Sequence, residues 1–248
     1  MNVIILAAGK GERLWPLTKY APKPLLKLRD DECLLEKQIK LFEQYPEIKD
    51  ILVIGGYKFE QLENFINSKS WSVNVKPIYN PFYHVSNNLM SLWFAKDSMS
   101  KDDFLITNGD NLYKKSVMDK VLKEVQTPGI YITIDRKKEY DDDDMKVTIR
   151  NGTVIYVSKT IPSINANAES VGLAKIVGKE SRGKIIEVLD TLSKKEEYIN
   201  KFWLDIFNVL AERGEVIKWV EIDEKEWQET DFHPDIETIE KILLQKKI

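Results

Sequence analysis

Short apolar runs alternate with amphipathic stretches along the first half of the chain. Val3–Ala8 is continuously apolar and is followed by Gly9, a pattern typical of a strand that is buried on both faces of a parallel sheet. Leu34–Tyr45 then has apolar residues at near-helical spacing and ends before Pro46, which cannot continue a helix. Further alternation predicts a strand at Ile48–Gly56, a helix at Phe59–Ser68, a strand at Val73–Tyr79, a helix at Asn88–Ser98 and a strand at Asp103–Thr107. Strands and helices alternating at this spacing predict an α/β fold, with a Rossmann-like, doubly wound, mostly parallel sheet and helices on both faces.

Strand-like segments dominate after Gly129. Met145–Arg150 and Thr153–Ser158 flank Asn151-Gly152, which is a strong hairpin signal. We expect this half to extend the sheet as a β-rich region on the side where a substrate would bind. The other elements predicted here are strands at Ile130–Asp135 and Val216–Ile222 and helices at Lys201–Arg213 and Ile236–Gln245.

Length, charge and cysteine content narrow the class of protein. A chain of 248 residues can bury one α/β core, and no repeat or linker divides it, so residues 1–248 are predicted to form a single domain. The net charge of −3 disfavours nucleic acid and anionic membrane as partners. The start of the chain does not read as a signal peptide, and no apolar run approaches the roughly 18 residues of a membrane span. The single cysteine, Cys33, excludes an intramolecular disulfide, so we expect a cytoplasmic protein.

The glycine-rich segment after the first strand is the main candidate for chemistry. Gly9 and Gly11 allow backbone amides at the end of a buried strand to approach phosphate oxygens. Arg13 adds a bidentate phosphate donor, and Lys23 lies in the rigid segment Pro22-Lys23-Pro24. Two cations and a glycine loop at this place suit a triphosphate.

The spacing of the glycine loop does not fit the two commonest phosphate-binding motifs. A P-loop has Lys-Ser/Thr directly after its last glycine, and a dinucleotide-binding loop has a third glycine and an acidic residue about 20 positions further on. Neither pattern is present. The two glycines alone would also fit an ordinary tight turn, so the distinction depends on Arg13 and Lys23.

The combined motif resembles the signature of nucleotidyltransferases that join a nucleoside triphosphate to a phosphorylated small molecule. It comprises Leu6-Ala7-Ala8-Gly9-x-Gly11-x-Arg13 and Pro22-Lys23-Pro24-Leu25. Asn108-Gly109-Asp110 lies where this family carries its first metal-binding aspartate, and Glu229-Thr230-Asp231 lies where it carries the second. Within the family, Asn87–Trp93 is more similar to the phosphocholine and inositol-phosphate cytidylyltransferases than to the larger sugar-nucleotide enzymes.

The resemblance implies transfer of CMP from CTP to a phosphorylated small alcohol, such as phosphocholine, inositol phosphate or glycerol phosphate, with release of pyrophosphate. It implies Arg13, Lys23, Asp110 and Asp231 as catalytic residues, with Mg²⁺ held by Asp110 and Asp231. One alternative is a sugar-1-phosphate nucleotidyltransferase that uses UTP, dTTP or GTP, and another is an inactive, nucleotide-binding regulatory module. The oligomeric state stays open.

Further site residues follow from the resemblance and from their side chains. Lys159 occupies a position where the family often has a lysine for the acceptor's phosphate, and Glu169 is a candidate for contacting the acceptor. The residues expected to bind the nucleotide are Leu6, Ala7, Ala8, Gly9, Gly11, Arg13, Lys23, Gly56, Tyr57, Asn88, Ser91 and Asp110.

Three features have a structural interpretation beside the functional one. Asn87 and Asn88 would also serve as helix caps. Tyr83, Trp203, Trp219 and Trp227 would bind a quaternary ammonium if they met at one point, but large aromatic side chains more often fill a core. The acidic run Asp141–Asp144 is interpreted as a solvated loop rather than a metal site, because four adjacent carboxylates repel one another.

Overall fold

A computed structural model describes residues 1–28 and 31–230 as one mixed sheet with helices on both faces and a small second sheet. The elements of the first half are β1 (Asn2–Ala7), α1 (Leu34–Phe42), β2 (Asp50–Gly55), α2 (Phe59–Asn67), β3 (Asn74–Tyr79), α3 (Asn88–Trp93), α4 (Lys96–Lys101), β4 (Phe104–Asn108), β5 (Asn111–Tyr113) and α5 (Lys115–Asp119). Those of the second half are β6 (Gly129–Asp135), β7 (Lys146–Arg150), β8 (Thr153–Ser158), β9 (Ala168–Val177), α6 (Lys179–Leu192), α7 (Asp205–Glu212), β10 (Ile217–Ile222) and β11 (Trp227–Glu229). The predicted helix at Ile236–Gln245 lies outside the described residues.

The main sheet has the strand order β10-β6-β9-β4-β1-β2-β3, with the β7–β8 hairpin attached to β9. Strands β4, β1, β2 and β3 are mutually parallel, as predicted. Strand β9 runs antiparallel to both of its neighbours, β4 and β6. The small sheet pairs β11 with β5, which brings the end of the described chain beside the segment after β4.

Helices cover both faces of the sheet, which is why its inner strands β1, β2 and β4 are rich in apolar residues. Ile4 and Leu6 of β1 belong to a core on the face that carries α3, α4, α6 and α7. Val3 and Ile5, which alternate with them, belong to a core on the face that carries α1, α2 and α5. The predicted α/β class with helices on both faces is confirmed.

The structure contains elements that were not predicted from the sequence, among them β9 and α6. No strand was predicted at β9, because Glu169, Ser170 and Lys175 interrupt its apolar pattern, although all three side chains are buried. No helix was predicted at α6, although its buried residues Ile185, Val188, Leu189 and Leu192 have helical spacing.

The single helix predicted at Asn88–Ser98 is divided into α3 and α4. The amides of Phe94 and Ala95 bond to carbonyls three residues earlier, and such bonds tighten the end of a helix. The hairpin turn was predicted correctly, with both Asn151 and Gly152 at positive φ. None of the helices in the described ranges is long and apolar enough to cross a membrane.

Candidate active site

The candidate site lies at the carboxyl ends of the neighbouring parallel strands β1 and β4. Leu6 of β1 is in register with Asn108 of β4, and the amide of Gly109 donates to the Leu6 carbonyl at 2.8 Å. A Cβ at Gly109 would lie 2.8 Å from the Ala7 Cβ, so only glycine fits this close approach. The segments that follow the two strands therefore open into one cleft, as expected for a sheet of this type.

The glycine loop folds back against the segment that carries Lys23. Gly11 has φ of 64°, and a Cβ there would lie 3.0 Å from Thr18 Cγ2 and 3.1 Å from Lys23 Cβ. The Thr18 hydroxyl donates to the Gly11 carbonyl at 2.7 Å. The second glycine is thus needed to bring Lys23 close to the loop.

Lys23 and Asp110 line the cleft and form an ion pair there. Lys23 Nζ donates to Asp110 Oδ2 at 2.7 Å, and the two side chains are 11% and 23% exposed. The other carboxylate oxygen, Asp110 Oδ1, is buried and has no hydrogen-bond partner among the described residues. An unpaired buried oxygen is costly unless a ligand satisfies it.

The unpaired Asp110 Oδ1 fits the implied magnesium ion, because Mg²⁺ takes few carboxylate oxygens and completes its shell with water and phosphate. The described residues contain no group of three His, Cys, Asp or Glu side chains able to hold a metal by themselves. Asp231, the second predicted ligand, lies outside the described residues. Its neighbour Thr230 donates its amide to the Asp110 carbonyl at 3.0 Å.

The cleft has two sides that meet at Arg13 and Asp110. The loop side is lined by the residues Leu6, Ala7, Gly9, Lys10, Gly11, Glu12, Arg13, Leu14, Lys23, Pro24, Tyr83, His84, Asn87, Gly109 and Asp110. The strand side is lined by the residues Leu6, Ala8, Gly9, Arg13, Tyr83, Ser86, Asn87, Asn88, Ser91, Asn108, Asp110, Asn111, Asp143, Met145, Lys159, Ser170, Gly172, Phe202, Trp203, Leu204 and Glu229. Cations thus lie on both sides, and Asp110 lines both sides as well.

Asp143 connects the two predicted phosphate-binding cations of the strand side. Its Oδ2 accepts from Arg13 Nη1 at 2.9 Å, and its Oδ1 lies 3.5 Å from Lys159 Nζ. The interpretation of the acidic run as a solvated loop is therefore incomplete. The buried ammonium of Lys146 also binds this loop by donating to the Asp141 carbonyl at 2.6 Å. Because Asp143 is 62% exposed, its ion pairs are weak, and an incoming phosphate can displace them at small cost.

The polar residues of α3 line the strand side and also have structural bonds. The Asn87 side chain caps the helix by accepting from the Asn88 amide at 2.7 Å. Asn88 Oδ1 accepts from the Trp203 amide at 2.9 Å, and Ser91 Oγ accepts from Asn80 Nδ2 at 3.0 Å. The capping interpretation thus holds for Asn87, whereas Asn88 connects α3 to the segment before α7.

Three of the predicted site residues do not line the cleft as the structure describes it. A Cβ at Gly56 would lie 2.4 Å from Tyr83 Cβ, so Gly56 lies behind that ring. The Tyr57 amide donates to the Ala8 carbonyl at 3.0 Å, and its hydroxyl donates to the Lys19 carbonyl at 3.1 Å.

The third, Glu169, is 4% exposed and forms an ion pair with Lys137. Burial raises the pKa of Glu169 to about 8, although Lys137 opposes this shift. Its neighbour in β9, Ser170, lines the cleft instead.

The four aromatic residues do not form a box for a quaternary ammonium. Tyr83 and Trp203 line the cleft, but Trp219 lies against the Arg136 guanidinium, 5.4 Å from the ring centre. The indole of Trp227 donates to the buried carboxylate of Asp135 at 2.5 Å. The core-packing interpretation is thus the better one for Trp219 and Trp227.

Comparison with known proteins agrees with the motif and the fold. The family model described as nucleotidyl transferase matches residues 2–144. The chain belongs to the nucleotidyl transferase family. The match includes the glycine loop, Lys23 and Asp110, so the predicted resemblance is confirmed.

Individual relatives of this nucleotidyltransferase include cytidylyltransferases. A CTP:phosphoglutamine cytidylyltransferase from Campylobacter jejuni is 28% identical over 265 residues, covering 97% of this chain and 100% of that protein. The solved CTP:phosphocholine cytidylyltransferase from Streptococcus pneumoniae has a TM-score of 0.73 at 22% identity, covering 98% of both chains. The inositol-1-phosphate CTP transferase from T. maritima has a TM-score of 0.79 at 16% identity, covering 100% of this chain and 97% of that one. At these identities the two structures show that the fold is shared.

Several residues that line the cleft of this nucleotidyltransferase were not predicted from the sequence. Met145, Ser170, Gly172, Phe202 and Glu229 all come from the second half of the chain. The clearest available signal was the glycine of Ser170-Val171-Gly172: it has φ of 65° inside β9, and a Cβ there would lie 2.5 Å from Asn111 Nδ2. The other residues reach the cleft through packing between distant parts of the chain, so the sequence around them does not indicate that they line it.

Proposed function

We propose that this nucleotidyltransferase transfers CMP from CTP to a phosphorylated small molecule and releases pyrophosphate. The observation that carries the proposal is the Lys23–Asp110 ion pair at the cleft, in which Asp110 Oδ1 is buried and has no hydrogen-bond partner among the described residues. The names of the relatives support CTP as the nucleotide. The four-residue set Arg13, Lys23, Asp110 and Asp231 argues against a module that only binds nucleotide, since binding without turnover does not need all four.

The loop side would hold the triphosphate. Backbone amides around Gly9 and Gly11 and the guanidinium of Arg13 would bind the leaving pyrophosphate. Lys23, 2.7 Å from Asp110, would lie beside the α-phosphate and stabilise the charge that develops on it. An oxygen of the acceptor's phosphate attacks the α-phosphorus, the bond to the β-phosphate oxygen breaks, and pyrophosphate leaves. Because the acceptor oxygen is already ionised, the residues act by positioning and charge neutralisation rather than as a base.

Asp110, with Asp231, would hold the magnesium ion of this proposal. When bound, Mg²⁺ neutralises negative charge on the α-phosphate and fixes its orientation. Thr230 supports the assignment of Asp231, because its amide is bonded to the Asp110 carbonyl. We also propose a cytoplasmic location, which the single cysteine supports by suiting a reducing compartment.

The strand side would hold the acceptor, with Lys159 binding the acceptor's phosphate. Lys159 Nζ lies 3.5 Å from Asp143 and 5.8 Å from the centre of the Phe202 ring. Ser170 and Glu229 add a hydroxyl and a carboxylate to the lining. These groups support an acceptor that carries hydrogen-bonding groups beside its phosphate.

A pyrophosphate-release assay tests the proposal by combining each of the four nucleoside triphosphates with a panel of phosphorylated acceptors. The panel contains phosphorylated amides, phosphocholine, inositol phosphate, glycerol phosphate and hexose 1-phosphates. We expect release with CTP, dependent on one acceptor, and product containing CMP by mass spectrometry. Removal of divalent metal with EDTA should stop release, and added Mg²⁺ should restore it. Preference for UTP, dTTP or GTP with a hexose phosphate would overturn the choice of CTP, and no release with any pair would overturn the activity.

A further inference from the structure

The turn that carries Asp110 is bonded to a buried glutamine of α1. Gln38 is 1% exposed, and its Nε2 donates to the Asn108 carbonyl at 2.9 Å and to the Asn111 carbonyl at 2.5 Å. These two carbonyls flank Gly109 and Asp110. One amide group thus ties together both ends of the turn.

Gln38 lies outside the cleft and has no direct access to a substrate. It belongs to α1, and no residue of α1 lines either side of the cleft in the described chain. It follows directly after Lys37 and precedes Ile39, which is fully buried in the core on that face of the sheet. Any effect of Gln38 on the chemistry must therefore pass through the backbone of the turn.

Packing alone does not account for glutamine at this position. Its Oε1 is buried and has no hydrogen-bond partner among the described residues, and a buried acceptor left unpaired is unfavourable. An apolar side chain of similar length, such as methionine, would fill the same space without that cost. Among side chains that are uncharged at neutral pH, only a primary amide has two N–H groups on one nitrogen, and here they serve two main-chain carbonyls.

Other contacts of the turn come from elements that also form the cleft. Trp203 Nε1 donates to Asn108 Oδ1 at 3.0 Å, and Asn111 Nδ2 donates to the Val171 carbonyl at 2.7 Å. Gln38 binds main-chain carbonyls on both sides of Asp110. It therefore limits movement of the carboxylate without occupying ligand space.

We propose that Gln38 is a positioning residue that fixes the Asn108–Asn111 turn, so that Asp110 meets the metal-bound nucleotide in one orientation. The inference rests on the proposed role of Asp110 in nucleotide transfer. Residues that orient a metal ligand without touching the metal typically change metal affinity or activity by about 10- to 100-fold when replaced. The metal-dependent part of nucleotide binding should therefore weaken when Gln38 is replaced, while metal-free binding is retained.

The test compares wild type with Gln38→Met and Gln38→Glu. Methionine removes both donors at nearly constant size, and glutamate keeps the shape but places an oxygen opposite the two carbonyls. Calorimetry measures nucleotide affinity in Mn²⁺ and in EDTA, using the triphosphate that the wild type consumes. We expect the wild type to bind the nucleotide more tightly in Mn²⁺ than in EDTA. The ratio of the two affinities should be at least about 10-fold smaller in the variants. Affinity in EDTA should stay within about twofold, and the Mg²⁺ concentration for half-maximal turnover should rise.

The matched control is Ile39→Ala, which damages the same helix at a fully buried position without touching the turn. It should lower the thermal midpoint but leave the Mn²⁺ effect unchanged. If Gln38→Met does not fold, the isosteric Gln38→Glu variant carries the comparison. A folded variant with an unchanged Mn²⁺ effect overturns the role of Gln38 alone. A wild type that consumes no nucleotide overturns the proposed function and this role with it.

Discussion

Lys23 and Asp110 are 87 residues apart in the chain, yet their charged groups lie 2.7 Å apart. The ammonium is only 11% exposed, so it is held in a partly desolvated site where electrostatic interactions are stronger than in water. Such a fixed cation stabilises charge that develops on a phosphate without needing to reorganise. The proposed chemistry therefore depends on the position of these two side chains.

Replacing Lys23 with alanine should lower kcat by at least about 100-fold, because one preorganised charge is lost where negative charge develops. Lys19→Ala is the matched control, since Lys19 is an exposed lysine four residues earlier that lines neither side of the cleft. Steady-state pyrophosphate release measures both variants, with circular dichroism to confirm folding. Near-normal kcat in a folded Lys23→Ala variant would sink the catalytic assignment.

Cys33 should be chemically inert in the folded protein. The thiol is 4% exposed, and burial raises its pKa to about 11, so the reactive thiolate is scarce near neutral pH. We expect no labelling by iodoacetamide at pH 8 in native buffer and one label per chain in urea, because the sequence contains a single cysteine. Mass spectrometry of the intact chain measures both, and rapid native labelling would contradict the buried position.

At the scale of elements, β9 joins the two halves of the sheet and carries its least strand-like sequence. Lys175 is buried and donates to the carbonyls of Val121, Leu122 and Val125. Glu169 is buried beside Lys137. The polar residues are tolerated here because each is paired, which pattern-based reasoning does not detect.

The Glu169→Gln variant should gain stability relative to wild type as pH rises. Burial raises the pKa of Glu169 from its ordinary 4.5 to about 8, so the folded state binds a proton more tightly than the unfolded state. Wild-type stability from this group is therefore highest below pH 4.5 and declines between about pH 4.5 and 8. Glutamine removes that decline, which we expect to be on the order of 5 kcal/mol, because each pKa unit corresponds to about 1.4 kcal/mol.

Urea unfolding at pH 5 and pH 9 measures this difference, with the exposed Glu60→Gln as the control. The free energy of unfolding of Glu169→Gln minus that of wild type should be larger at pH 9 than at pH 5. The same difference should be flat for Glu60→Gln. Equal differences at the two pH values for Glu169→Gln would show that the carboxyl group is not protonated in the folded state.

Local patterns account for the elements that were predicted, and long-range packing accounts for those that were not. The strand before Gly9 and the turn at Asn151-Gly152 are determined by neighbouring residues, so the sequence predicts them. The same is true of the glycine loop and Lys23, whose spacing is fixed by nearby backbone. Glu169 was predicted as an acceptor contact, but its side chain points to Lys137 because of strand register, which no local pattern specifies.

In the whole molecule, the two halves of the chain are joined within one sheet by β9. β9 pairs with β4 on one side and with β6 on the other, while the cleft takes Asp110 from the first half and Lys159 from the second. Residues 2–144, which match the family model, therefore lack the strand that joins β4 to β6. The prediction of one domain over residues 1–248 therefore implies that the two halves unfold together.

We expect the full chain to unfold in urea as one transition, because separating the halves would break the β4–β9 pairing and expose one edge of each strand inside the sheet. Far-UV circular dichroism and tryptophan fluorescence should give coincident curves with one midpoint, since the tryptophans include Trp71 beside α2 and Trp203 at the cleft. A fragment of residues 1–144 should show no cooperative transition, because β4 and β6 would each lack their partner. Two separated transitions in the full chain, or a cooperatively folded fragment, would mean that the first half is a domain by itself and that the second half only completes the cleft.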